Sequence, residues 1–149
     1  MARLGILFFD GPYQKQAPET VCNLANAALN KGHEVRIFCY MDAVNAVLEN
    51  QKKIEGIFNI EEGFREILEK GATVKLCNLC LLVRGTMKNC LKKECGDVKR
   101  AGTPDLAKII DETDKLVVIC LGDNKCQKKK MLLFFYGNPL TEHFIPWKV

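Results

Sequence analysis

The sequence predicts an α/β domain built around a parallel sheet, and two observations carry that expectation. The runs Leu4–Phe9, Val35–Tyr40 and Leu116–Leu121 are of strand length and almost wholly apolar, the pattern of strands covered on both faces. Between such runs, apolar residues recur at helical spacing. Strands and helices that alternate in this way form a parallel sheet with helices on its faces, and ligands sit beyond the carboxyl ends of the strands.

Taken in order, Leu4–Phe9 is the first strand and Asp10-Gly11-Pro12 is the turn that stops it. Val21, Leu24, Ala25, Ala28 and Leu29 then mark one face of a helix between Pro18 and Lys31, ended by Gly32. A short Gly32-His33 link leads to the second strand, Val35–Tyr40, so a right-handed crossover is expected. Asp42 is read as the cap of a helix through Leu48 that lays Ala43, Val44, Ala46 and Val47 on the sheet, and Asn50–Gly56 as a polar loop. Asn59 caps a further helix with Ile60, Phe64, Ile67 and Leu68 on its buried face, ended by Gly71. Thr73–Leu76 is the third strand, with a helical turn over Asn78–Val83 behind it. The lysine-rich stretch Gly85–Gly102 is expected to be irregular. Pro104 opens the last helix, whose inner side is Leu106, Ile109 and Ile110, and Leu116–Leu121 is the last core strand.

A chain of 149 residues holds one domain with a core large enough to fold without staples. No stretch approaches the ~18 apolar residues of a membrane span. The apolar run behind Met-Ala-Arg is too short for a secretory core and has no cleavage pattern after it. A soluble, cytoplasmic protein is therefore expected, with its eight cysteines reduced rather than forming a disulfide framework. The net charge of +4 is scattered apart from Lys128–Lys130, so neither a nucleic-acid nor a membrane partner is expected. Neither G-x-G-x-x-G nor a P-loop occurs to cradle a nucleotide.

The sharpest local feature is Cys77-Asn78-Leu79-Cys80, a C-x-x-C that opens where a strand ends and a helix begins. A thiol there meets free backbone N–H groups and the positive end of the helix dipole, which favour a nucleophilic thiolate. Lys75 and Arg84 add positive charge nearby in sequence. Three other readings compete. Cys77, Cys80, Cys90 and Cys95 form two pairs that would suit tetrahedral zinc in a binding module, although four residues separate the second pair. A thioredoxin-like dithiol would be expected nearer the first strand. A small-ligand binder would use the strand-end crevice and the Gly11 turn. Cys22, Cys39 and Cys120 lie inside apolar elements and read as core residues. Asp10 and Asp42 read as turn or cap residues rather than catalytic carboxylates, and neither His33 nor His143 forms a recognisable pair with a cysteine.

Three segments in order resemble the DsrE/DsrF/TusD sulfur-relay family and its YchN-like branch. Phe9-Asp10-Gly11-Pro12-Tyr13 resembles the family's first strand and its Gly-Pro-Tyr loop. Gly32–Phe38 with Met41-Asp42-Ala43-Val44 resembles its second strand and following helix, and Val74–Cys80 with Arg84-Gly85 resembles its cysteine motif. The resemblance covers about residues 3–121, with Lys88–Arg100 matching loosely. It implies a flavodoxin-like three-layer sandwich with a mainly parallel sheet, assembled as a homotrimer or homohexamer. It also implies sulfur carriage as a persulfide on Cys77, exchanged with donor and acceptor proteins and needing no metal or organic cofactor. Cys80 matches a second cysteine of the YchN-like branch, where it would resolve the persulfide, protect it or merely pack. Gly11 would let the backbone approach the site and Tyr13 would form a wall of it, with Arg84 and Gly85 beside them.

Residues 1–121 are thus read as the α/β domain and 122–149 as a C-terminal extension. In the extension, Met131–Tyr136, the turn signal Gly137-Asn138-Pro139 and the apolar residues Phe144, Ile145 and Trp147 are read as a hairpin at an oligomer interface.

Overall fold

In the computed structural model, residues 1–89 and 97–120 are described. They form strand β1 (Arg3–Phe8), helix α1 (Ala17–Asn30), strand β2 (Glu34–Cys39) and a 3-10 helix (Met41–Val47). Helix α2 (Ile60–Glu69), strand β3 (Thr73–Cys77), helix α3 (Asn78–Val83), strand β4 (Asp97–Ala101), helix α4 (Thr103–Glu112) and strand β5 (Lys115–Ile119) follow. The sheet has the order β4-β3-β2-β1-β5, and every pairing is parallel. From β1 to β4 the chain steps in one direction across the sheet, and then β5 returns to the far side of β1. Right-handed crossovers therefore put α1 and α2 on one face and α4 on the other.

The register assigns the side chains to these faces. Ile6, Ile37 and Val74 lie in one row, and Phe8, Cys39 and Leu76 in the next. All are buried, in one core with Val21, Cys22 and Ala25 of α1 and Phe64 and Ile67 of α2. Each large apolar side chain so buried stabilises the fold by about 1.5–3 kcal/mol. Alternation sends Arg36 of β2 and Thr73, Lys75 and Cys77 of β3 to the α4 face. Two ion pairs hold α4 there by its ends: Lys75 Nζ to Asp105 Oδ1 at 3.0 Å, and Arg36 to Glu112. The Asp105 carboxylate also accepts from the Gly102 N–H at 3.0 Å, closing the first turn of α4.

Two expectations are corrected. The stretch expected to be irregular contains β4, which pairs with β3 from Asp97 to Ala101. It is an edge strand, where Lys99 and Arg100 are exposed and only one partner has to be matched, so its apolar pattern is weak. Asp42 does not cap an α-helix. The segment is a 3-10 helix whose N-cap is Tyr40, and the Ala43 N–H is satisfied by the carbonyls of Phe9 and Tyr40, both at 3.1 Å. The Asp42 carboxylate is thereby free for another partner. Residues 121–149, and with them the expected hairpin, lie outside the described residues.

Asn59 does cap α2, its side chain accepting from the Glu62 N–H at 2.9 Å. Asn59→Ala should lower stability by about 1 kcal/mol. The urea midpoint should fall while the slope of the transition holds; an unmoved midpoint would show that the cap contributes nothing.

Candidate functional site

Cys77 ends β3 and is at once the N-cap of α3, its Sγ accepting from the Cys80 N–H at 3.4 Å. The two roles follow from the local sequence. Val74 and Leu76 fix the strand in the core, Leu81 fixes the helix, and the chain turns between them at Cys77. Cys77 and Cys80 are 6% and 7% exposed. Burial, hydrogen bonding with the Cys77 side chain and the neighbouring Cys77 charge raise the pKa of Cys80, while the Met41 backbone N–H and the Arg84 guanidinium oppose the rise.

Arg84 follows the last turn of α3. Its Nε and Nη2 both reach Asp42 Oδ1, at 2.8 and 2.7 Å, and its Nη1 donates to the Cys80 carbonyl at 3.4 Å. The Asp42 hydrogen bond, chiefly, holds the guanidinium even further from losing its proton, with the two cysteine sulfurs acting in the same direction. Asp42 is the residue sequence reasoning missed. The only signal was its position just past β2, the strand that neighbours β3, because a carboxylate there lies within reach of a cation at the end of β3. Gly85, at φ 66°, takes the left-handed position that closes α3, and its N–H donates to the Leu82 carbonyl at 3.1 Å.

The other proposed positions are arranged differently. Gly11 is buried behind Asp42: a Cβ there would lie 3.4 Å from Asp42 Cβ, so the turn after β1 supports the Arg84 anchor. Tyr13 is exposed at φ 58° and donates to Gln51 Oε1 at 3.3 Å. It lines a groove of about 390 Å³ with Lys15, Pro18, Ile57 and Phe58, in which neither Cys77 nor Cys80 takes part. Lys75 is turned to Asp105 of α4 rather than to the thiols.

The remaining described cysteines divide. Cys22 and Cys39 are buried as expected; burial first, then Glu66 and Glu19, push Cys22 up to about 12, and complete burial raises Cys39 still further. Cys120, expected in the core, is exposed, because it lies one residue past the end of the edge strand β5. Among the described residues no cluster of three or more metal-ligating side chains occurs, and Cys90 and Cys95 lie outside those residues. His33 accepts from the Ala2 N–H at 3.4 Å, before the start of β2 and so at the opposite end of the parallel strands from Cys77.

With the geometry in place, comparison is informative. Residues 2–119 match the model of the DsrE/DsrF-like family. The chain belongs to that family. The YchN protein of E. coli superposes with a TM-score of 0.71 at 30% identity, over 80% of this chain and all of YchN. An uncharacterized protein of Methanocaldococcus jannaschii is 30% identical over 112 residues, 75% of this chain and 95% of its own. A Pseudomonas aeruginosa protein named as a sulfurtransferase TusD homolog is 31% identical over 87 residues, 57% of this chain and 66% of its own. Family membership, the α/β fold and the parallel sheet expected from the sequence are thus shown. No helix among the described residues is long and apolar enough to cross a membrane.

The surroundings of the cysteines predict a labelling pattern. Iodoacetamide on the native chain at neutral pH should leave Cys22 and Cys39 unmodified while denatured chain is labelled at both. Native labelling of either, read by peptide mapping, would contradict their burial.

Proposed function

We propose that this chain carries sulfur as a persulfide on Cys77 and hands it to an acceptor thiol. One observation carries the reading. The sulfur at the end of β3 has a backbone N–H as donor and the Asp42-anchored guanidinium of Arg84 close by, in a chain related to a named sulfurtransferase. The Cys77 thiolate attacks the outer sulfur of a donor persulfide, and the donor leaves as a thiolate. The Cys77 persulfide is anionic when deprotonated, and the positive charge of Arg84 favours it. An acceptor thiolate then attacks the outer sulfur in turn and Cys77 leaves. No metal or organic cofactor enters either step.

Donor and acceptor are proteins in this reading. Leu79, Leu82 and Val83 of α3, together with Met41, leave large apolar side chains exposed around a sulfur that is itself almost covered. Gly11 and Gly85 shape the turns beside the site, and Tyr13 belongs to the rim where a partner would rest. Cys80 is the second participating thiol. We place the chain in the cytoplasm as a homotrimer or homohexamer, with residues 1–121 as the carrier domain and 122–149 as an extension at the subunit interface. Light scattering on the full chain should give a mass of three or six subunits, and a monomer would overturn the assembly.

Incubation with a low-molecular-weight persulfide should add one sulfur, about 32 Da, to Cys77. Cys77→Ser should abolish the adduct. Peptide mapping that places the sulfur on another cysteine, with Cys77 unmodified, would overturn the assignment.

A further inference from the structure

A carrier needs one thiol, and this site holds two whose surroundings are alike. Cys22 and Cys39 show what a packing cysteine looks like here: burial holds their protons on, and carboxylates stand near Cys22. Cys80 differs from both. Its sulfur receives the Met41 N–H and lies in the field of Arg84, so it has a donor and a cation for negative charge, as Cys77 has. Met41 holds its position at φ 52° in the left-handed region, which costs a non-glycine residue about 1 kcal/mol or more. Packing alone requires neither the strained residue nor the N–H on the sulfur.

We propose that Cys80 is a resolving thiol that discharges the Cys77 persulfide when no acceptor is docked. The inference rests on persulfide carriage by Cys77. The Cys80 thiolate attacks the inner sulfur, which is Cys77 Sγ. The bond from that sulfur to the outer sulfur breaks, the Cys77–Cys80 disulfide forms, and the outer sulfur leaves with the electron pair as hydrosulfide. The proton shed by Cys80 balances the charge as hydrogen sulfide, and no outside oxidant is consumed because the persulfide is itself the oxidant. A thiol reductant then restores the pair.

The geometry suits that step. The Cys80 N–H already donates to Cys77 Sγ at 3.4 Å, and neighbours one helical turn apart have Cβ atoms about 5–6 Å apart against about 3.5–4.5 Å in a disulfide. Cys77 stands at the N-cap with non-helical backbone, at φ −57° and ψ 111°, where a small pivot closes the difference. The positive charge of Arg84 acts on both sulfurs and favours the departing anion. Acceptor and resolving thiol thus compete for different atoms of one persulfide: attack on the outer sulfur delivers it, and attack on the inner sulfur releases it.

The test uses the full chain, loaded with a low-molecular-weight persulfide, freed of donor and followed by intact mass together with hydrosulfide release. The adduct should decay to a species about 2 Da lighter than the reduced chain, with one equivalent of hydrosulfide and a mapped Cys77–Cys80 link. In Cys80→Ser the adduct that forms on Cys77 should last at least about tenfold longer than in the parent chain and release no hydrosulfide. Failure of the adduct to form on Cys77 overturns the carrier reading, and this inference with it. An adduct that forms but decays equally fast in Cys80→Ser, or hydrosulfide released without the mapped link, overturns the resolving role alone. The mapping is done on the parent chain, so it decides the question even if the variant folds poorly.

Discussion

The pairing of β2 with β3 is the constraint on which the site depends. Both strands run the same way, so their carboxyl ends emerge side by side, and the register that sets Cys39 beside Leu76 leaves Met41 and Asp42 level with the start of α3. From there a backbone N–H reaches Cys80 and a carboxylate reaches Arg84, without either residue belonging to the cysteine motif. A slip of one residue in that register would exchange the faces of β3 and send Cys77 into the α1 side of the core. The buried row of Ile6, Ile37 and Val74 resists such a slip, and the Lys75 and Arg36 ion pairs on the opposite face resist it too.

The same sheet gives its cysteines two different environments. Cys39 and Cys77 lie on neighbouring strands and both are nearly covered, yet alternation turns Cys39 toward α1 and leaves Cys77 at the strand end. Burial first, and then the neighbouring Cys22, hold the proton on Cys39. At Cys77 and Cys80 the covering is thin and each sulfur has a backbone N–H within reach. The surroundings of a sulfur in this fold follow from where the strand stops rather than from how many cysteines the chain contains.

Much of this was legible in the amino-acid order. Leu4–Phe9, Val35–Tyr40 and Thr73–Leu76 read as buried strands because burial on both faces requires nearly continuous apolar residues, and the strands found differ from them by one or two positions. Asn59 and Pro104 marked helix starts for reasons of local geometry. β4 was not legible, because an edge strand reading Asp-Val-Lys-Arg-Ala carries too little apolar pattern to stand out. Within the site, Cys77 and Cys80 announced themselves by spacing, and Arg84 by its charge. Asp42 did not, since its partner lies 42 positions away and only the β2–β3 pairing brings them together. Lys75 misled for the same reason: closeness in sequence to Cys77 says nothing about α4, where its partner Asp105 sits.

Covering the sulfur and exposing the helix beside it act together. Cys77 is only 6% exposed, so on the proposed function a partner that covers Leu79, Leu82 and Val83 would bring its own sulfur to it more readily than a small molecule would. Docking also removes water from around Arg84, and a charge interaction strengthens as the local dielectric falls. The guanidinium is already anchored to Asp42, so on the proposed function little further ordering would be required of it on persulfide formation. On the proposed function, delivery to an acceptor and release through Cys80 would be distinguished by occupancy of the α3 surface. A docked acceptor would present its thiolate to the outer sulfur, and an empty surface would leave Cys80 as the competing nucleophile.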